Sequence, residues 1–333
     1  MTWFGHGGIM PQNWERDMLT RRTLVLAALA TPALSQAWPA RPLRMIVSFP
    51  PGGSTDVVAR LITPTIERVL GQAVVIENRG GANGALGAAA AAQGPADGYT
   101  WLLDAGGAAT NQFLMRGLGF EYERAFAPVT QLTLLPSVLM VRADSPHNTL
   151  ARLVAHLRAN PGRESYGSSG TGTGAHLSGA LLMRRAGTEA QHIPYRGGAQ
   201  QMTAMLTGET LFAFSTLAVP APLLAEGRLT AIAASSAERI PGYDNVGTVA
   251  EQGVPGFDMV DFHQISAPIG TPAAMITRMA EAAAEAMHSP ALAARFQLLG
   301  LIPRARGPED FATFLAQQRQ RMGEVIRAEG LAA

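Results

Sequence analysis

The stretch "LRMIVSFPPGGSTDVVARLITPTIERVLG", residues 43–71, decides how the rest of the chain is read. Leu43 to Phe49 is an apolar run of strand length, while Val57, Val58, Leu61, Ile62, Ile66, Val69 and Leu70 recur at helical spacing. Gly52, Gly53, Ser54 and Thr55 lie between them, so a buried strand runs into a glycine-and-hydroxyl loop that opens a helix, and Pro64 is expected to kink that helix. The same alternation continues. "AVVIENR" (73–79) reads as a strand, "GALGAAAAAQ" (84–93) as a helix of small residues packed close to a sheet, and "YTWLLDAG" (99–106) as a third strand. Strand and helix in alternation predict a parallel sheet covered on both faces.

The pattern restarts with a strand at "SVLMVRA" (137–143), a helix at "LARLVAHLRANPG" (150–162), a strand at "ESYGSSG" (164–170) and a helix at "AHLSGALLMRRAG" (175–187). Strands follow at "QHIPY" (191–195), "TLFAFST" (210–216), "RLTAIAAS" (228–235) and "MVDFHQISAP" (259–268), with the helix "AQQMTAMLTG" (199–208) among them. The C-terminal third reads as helical throughout. At 333 residues the chain exceeds the usual size of a single hydrophobic core, and two domains are expected.

Composition removes whole classes of function. Formal net charge is +1, from 26 basic and 25 acidic residues spread along the chain, which leaves no footprint for nucleic acid. Every basic residue is arginine, so lysine-based catalysis and a phosphate-binding Walker lysine are excluded. With Cys 0, thiol nucleophiles, cysteine-ligated zinc, disulfides and lipid attachment to cysteine are excluded as well. No metal-ligand spacing or dinucleotide fingerprint appears, and neither metal nor cofactor is expected. Near the N-terminus, Arg21 and Arg22, the apolar stretch Leu24 to Leu34 and the small residues Ser35 and Ala37 read as an export signal cleaved after Ala37. Met18 is a second candidate start, and general secretion is favoured over the twin-arginine route. The apolar stretch is too short to span a bilayer, so a mature chain without membrane insertion is expected.

Two loops carry the candidate chemistry. "PPGGSTD" (50–56) allows backbone conformations closed to other residues and presents the N–H groups of a helix start, a cradle for an oxygen anion. A capped turn, with Ser54, Thr55 or Asp56 as the cap, fits the same residues. "SSGTGTGAH" (168–176) repeats the device in the second half, and two such loops at strand ends would line one cleft. A hydrolase with Ser54 or Ser169 as nucleophile lacks the G-x-S-x-G elbow. His176 and His192 read as packing residues, and His263 as a packing or hinge residue with ligand contact as the alternative.

Taken together, "RPLRMIVSFPPGGSTDVVARLI" (41–62), "GQAVVIENRGGANGALGA" (71–88), "SYGSSGTGTGAHLSG" (165–179), "HIPYRGGAQ" (192–200), "GRLTAIAASSAERIPG" (227–242) and "APIGTPAAM" (267–275) closely resemble the Bug-type periplasmic solute-binding receptors of tripartite tricarboxylate transporters. The resemblance covers essentially all of the chain after the signal. It implies a two-domain α/β periplasmic-binding-protein fold of the flytrap type, each domain a mainly parallel sheet flanked by helices. It places domain 1 at 38–141 plus 265–333, domain 2 at 142–264, and the ligand between them. The implied partners are a small carboxylate and the permease subunits of a tripartite transporter; the chain is expected to be a periplasmic monomer and not an enzyme, with an orphan sensor and a secreted serine hydrolase as alternatives.

The same resemblance places the ligand carboxylate on Gly52, Gly53, Ser54 and Thr55, with Ser168, Ser169, Gly170, Thr171, Gly172 and Thr173 opposite, and ligand contact is further expected at Phe49, Asp56, Gly106, Gly107, Asn111, Ser215 and His263. This chain also departs from the family pattern. Gly106, Gly107 and Ala108 replace polar residues and suggest a roomier pocket. Phe214, Ser215 and Thr216 stand where the family commonly has Phe-Asp-Asn, and loss of that carboxylate argues against an amino group on the ligand. A carboxylate without an amine, aromatic, apolar-bodied or dicarboxylic, is therefore expected.

Overall fold

The structure, a computed structural model, describes residues 1–5, 38–328 and 330–332. Residues 1–5 and 38–40 carry no helix or strand, and the export signal at 18–37 lies outside the described residues. Residues 41–333 pack as a unit of their own, built on a ten-stranded sheet.

The opening stretch forms β1 (Leu43–Val47) and α1 (Ser54–Leu70), and α1 is unbroken through Pro64. β2 (Val74–Asn78), α2 (Ala85–Ala92) and β3 (Thr100–Ala105) follow, and β1 pairs in parallel with both β2 and β3. Leu43, Met45, Ile46 and Val47 are fully buried, the apolar signature of a central strand covered on both faces. α3 (Gly107–Leu114) and the short α4 (Tyr122–Ala125) then lead into β4 (Phe126–Arg142), the longest strand of the sheet.

β4 organises the molecule. From Phe126 to Pro136 it pairs antiparallel with β9 (Val260–Pro268), and with β10 (Ile302–Arg306) along its other edge. From Ser137 to Arg142 it pairs instead with β7 (Phe212–Thr216) and β8 (Leu229–Ala234). β7 continues in parallel to β5 (Ser165–Ser168), and β5 to β6 (Gln191–Pro194). Parallel pairing thus lies within β1–β3 and within β5–β7, while the strands linking these groups run antiparallel to their neighbours. Helices α5 (Leu150–Ala159), α6 (Gly174–Ala186), α7 (Gly198–Thr207) and α8 (Ala221–Ala225) belong to the second group. α9 (Ala273–Met287), α10 (Pro290–Leu298) and α11 (Pro308–Ala328) return to the first.

Three features differ from the sequence reading. The strand read from Ser137 begins at Phe126, because Pro128 and Pro136 interrupt the alternating pattern while the backbone stays extended through two register shifts. The C-terminal third is not wholly helical: β10 forms at Ile302–Arg306, five residues with a proline and a bulge and no periodicity of their own, held by pairing to β4. α3 at Gly107–Leu114 is a helix to which the sequence reading assigned no element.

Candidate functional site

α1 starts without a side-chain cap. Its N-cap is Gly53, extended at φ −76°, and no side chain accepts from the first turn. Gly52 sits at φ +79°, a left-handed conformation that favours glycine, and its N–H turns away to donate to Asp56 Oδ2 at 3.0 Å. Asp56 also accepts from Arg60 Nε at 2.9 Å and, on Oδ1, from Asn78 Nδ2 at 2.9 Å. Burial works to raise the Asp56 pKa, but the bonds from Arg60, Gly52 and Asn78 outweigh it and hold the carboxyl below its ordinary range. Asp56 therefore braces the loop from behind. Gly53, Ser54 and Thr55 are left lining a cleft with about 670 Å³ of free space, beside Phe49, Pro50 and Pro51.

The second loop is braced by its own atoms and by two histidines. Ser168 is fully buried; its Oγ donates to Gly170 O at 3.0 Å, accepts from Gly170 N at 3.2 Å and lies 2.7 Å from His192 Nε2. Gly172 N donates to His176 Nδ1 at 3.1 Å, and Thr173 caps α6 by accepting from His176 N at 3.4 Å. The two imidazole rings stack at a centroid distance of 4.0 Å. Burial lowers both pKa values, with that of His192 pushed to about 4 by burial and, next, by His176. From this loop Ser169 and Thr173 face the cleft, whereas Gly170 and Thr171 face its outer mouth.

A third loop completes the wall, and sequence reading missed it. Arg196, Gly197, Gly198 and Ala199 line the same cleft. α7 starts there, with Gly197 at φ +99° as an N-cap that has no side-chain acceptor. The signal was present: "YRGGAQ" repeats the glycine pair before a helix seen in "PPGGST". The flanking strand and helix are both legible, but "YRGGA" carries no serine or threonine of the kind that marks the other two loops.

The floor holds Ala105, Leu135, Ser137, Ser215, Thr216 and Asp261. Asp261, on the connecting strand β9, is the second residue that sequence reading missed. Its Oδ1 accepts from Gly106 N at 2.7 Å and from its neighbour Phe262 N at 2.9 Å. The carboxylate also accepts from Gly174 N, at the start of α6. It thus joins the N-terminal ends of α3 and α6, which belong to the two strand groups. Burial raises its pKa, opposed by those three backbone donors.

One expectation is corrected here. Gly106, Gly107 and Ala108 do not enlarge the pocket. The space at Gly106 is taken by Asp261, that at Gly107 by Asn83 and Asn111, and Ala108 is buried in the core. The cleft does hold one carboxylate, that of Asp261. Its oxygens are occupied by backbone donors.

Of the expected contact residues, Gly52, Asp56, Gly107, Asn111, Ser168 and His263 stand outside the cleft lining, and Gly106 and Gly172 line a smaller cavity behind Asp261. Asn111 is fully buried and bonded to Asn83 and Tyr122. His263 is fully buried, with Nδ1 2.9 Å from Thr133 Oγ1 and Nε2 3.4 Å from Ser54 Oγ, and burial pushes its pKa to about 3. Among the described residues no helix is long and apolar enough to cross a membrane.

Comparison with known proteins gives consistent results. A family model described as "Tripartite tricarboxylate transporter family receptor" matches residues 58–331. Protein BugT of Bordetella pertussis is 33% identical over 309 residues, 92% of this chain and 95% of the relative. The solved structure "R. palustris Rpa4515 with adipate" superposes with a TM-score of 0.86 at 31% identity, covering 89% of this chain and 99% of the other. "MatC (Rpa3494) from Rhodopseudomonas palustris with bound malate" superposes with a TM-score of 0.80 at 28% identity, covering 87% of this chain and 100% of the other.

Proposed function

The chain belongs to the tripartite tricarboxylate transporter receptor family, and from that premise we propose that it captures a small carboxylate between its two lobes and delivers it to a membrane permease. The observation that carries this reading is the pair of uncapped helix starts, α1 at Gly53 and α7 at Gly197, on one cleft. Unpaired N–H groups and the positive end of the helix dipole favour an anion there. The pairing change at Ser137 on β4 and the start of β9 at Val260 support lobes that divide slightly before residues 142 and 265, with the two strands as the connection. Closure of the lobes on the ligand is what the permease reads. The protein acts in the periplasm as a monomer, exported by the general secretory route. With Asp261 occupied by backbone donors, a ligand lacking an amino group fits the cleft.

The geometry disfavours a hydrolase. The imidazole beside Ser54 is His263, whose pKa of about 3 makes it a poor proton acceptor near neutral pH, and Thr133, not a carboxylate, orients it. Ser168, beside His192, is fully buried. No covalent labelling by a fluorophosphonate is expected.

A thermal-shift screen of mono-, di-, tri- and aromatic carboxylates tests the receptor reading. A ligand at 100 times its Kd adds ~2.7 kcal/mol of stability, a shift of several degrees. A flat response across the panel overturns the reading. Thr55 is buried at the cleft with its hydroxyl beside the α1 start. Thr55→Val is expected to weaken carboxylate binding by about tenfold, the worth of one charge-assisted hydrogen bond, and to leave the unfolding midpoint of the free protein unchanged. Unaltered affinity by calorimetry rules out a direct contact.

A further inference from the structure

We infer that Arg196 is the specificity-determining residue of the cleft, pairing with a second anionic group of the ligand while the first sits at the start of α1. The inference rests on the carboxylate-receptor reading above and adds the residue that selects dianions over monoanions. Four helix N-termini converge here: those of α1, α6 and α7 line the cleft, and that of α3 lies behind Asp261. The protein's own carboxylate, Asp261, occupies two of them through Gly106 N and Gly174 N. The starts of α1 and α7 are left to the ligand, each worth roughly half a positive charge.

Arg196 immediately precedes the α7 start. It lines both the inner cleft and the outer mouth, where Phe49, Pro50 and Ser169 also lie, and no other cationic side chain lines either space. Among the described residues its guanidinium has no carboxylate partner; the residue's own hydrogen bond runs from its backbone N–H to Gln200 Oε1 at 3.0 Å. Other arginines near the cleft are engaged, Arg60 by Asp56 and Arg79 by Glu77. Two half-charges and one guanidinium sum to roughly two positive charges with no counter-charge from the protein. That balance suits a ligand with two anionic ends, one at Ser54 and Thr55 and one at Arg196. A guanidinium can grip the second carboxylate with two parallel hydrogen bonds, which a monocarboxylate of equal length cannot exploit.

The experiment is calorimetry on the full chain and on Arg196→Gln, with adipate, succinate and malate against hexanoate and butyrate as probes. Arg196 is exposed, so the variant should unfold at the same temperature as the unmodified protein. The expected result is a loss of at least tenfold in affinity for the tightest dicarboxylate, less than twofold for a monocarboxylate, and partial recovery in Arg196→Lys. Equal losses for both ligand classes, or a dicarboxylate affinity within twofold of the original, overturn the assignment. Binding of monocarboxylates alone by the unmodified protein also overturns it and leaves the receptor reading standing. Binding of no carboxylate at all overturns the receptor reading and the assignment with it.

Discussion

Gly106→Ala is expected to destabilise the protein by about 3 kcal/mol, although the backbone there has no positive φ and would accept alanine without strain. The cost comes from Asp261. A Cβ at Gly106 would lie far inside the van der Waals contact distance of Asp261 Oδ1 and 2.9 Å from its carboxyl carbon. The carboxylate has nowhere equivalent to go. Moving it away from Gly106 strains its bonds to Phe262 N and Gly174 N, and an unpaired buried N–H costs about 1–3 kcal/mol.

Urea unfolding measures the effect, and a double-mutant cycle identifies its source. Asp261→Ala alone strands the three donors and should cost a similar amount. In Asp261→Ala the clash at position 106 disappears, so the double variant should be more stable than the sum of the single losses predicts, by more than 1 kcal/mol. Strict additivity would mean that Gly106 and Asp261 do not act on each other. The same variants should weaken carboxylate binding, because an open α3 or α6 start competes for the ligand's charge and the link between the lobes is lost.

The second large effect is expected from acid. His192 is neutral in the folded protein because burial, and then the neighbouring His176, push its pKa to about 4, well below the 6.5 of an ordinary imidazole. As pH falls, the unfolded chain takes up this proton before the folded one. The stability the neutral ring contributes is therefore complete above pH ~6.5, declines below it, and is exhausted near pH 4, a loss on the order of 3 kcal/mol. His263, pushed to about 3 by burial, works in the same direction over a window extending lower. Asp104 opposes both: burial raises its carboxyl to about 7, so its contribution is present at low pH and lost as pH rises from ~4 towards 7.

Because these terms overlap, the test compares two proteins and not two pH values. The stability difference between the unmodified chain and His192→Asn should shrink by about 3 kcal/mol between pH 7 and pH 4. A difference that stays constant across that range contradicts a neutral His192. Carboxylate affinity should fall as His192 takes up its proton, because the Ser168–His192 contact holds one end of the loop.

Much of the site could be read from local sequence. Gly53, Ser54 and Thr55 were identifiable because a strand, a glycine pair and a helical period are all features of consecutive residues. The loop at Ser168 to Thr173 was identifiable on the same ground. Arg196 and the α7 start carry the same strand, glycine pair and helix, but without the serine and threonine residues that mark the other two loops. Asp261 could not have been found this way. Its meaning lies in Gly106 and Gly174, 155 and 87 positions away along the chain, and no local pattern distinguishes it from any aspartate in a strand.

The roles of the expected contact residues divide on the same line. Whether Asp56 faced a ligand or the back of its own loop depended on Asn78, brought alongside by parallel pairing of β1 and β2. Whether Asn111 faced the cleft depended on Asn83 and Tyr122. By itself the sequence determined the alternation of strands and helices, the absence of thiol and lysine chemistry, and two loops suited to an anion. Tertiary structure alone decided that the protein's own carboxylate occupies two of four helix starts. Charge balance within a cleft depends on which chain ends meet in space, and that follows from the pairing of β4 and β9 rather than from any stretch of neighbouring residues.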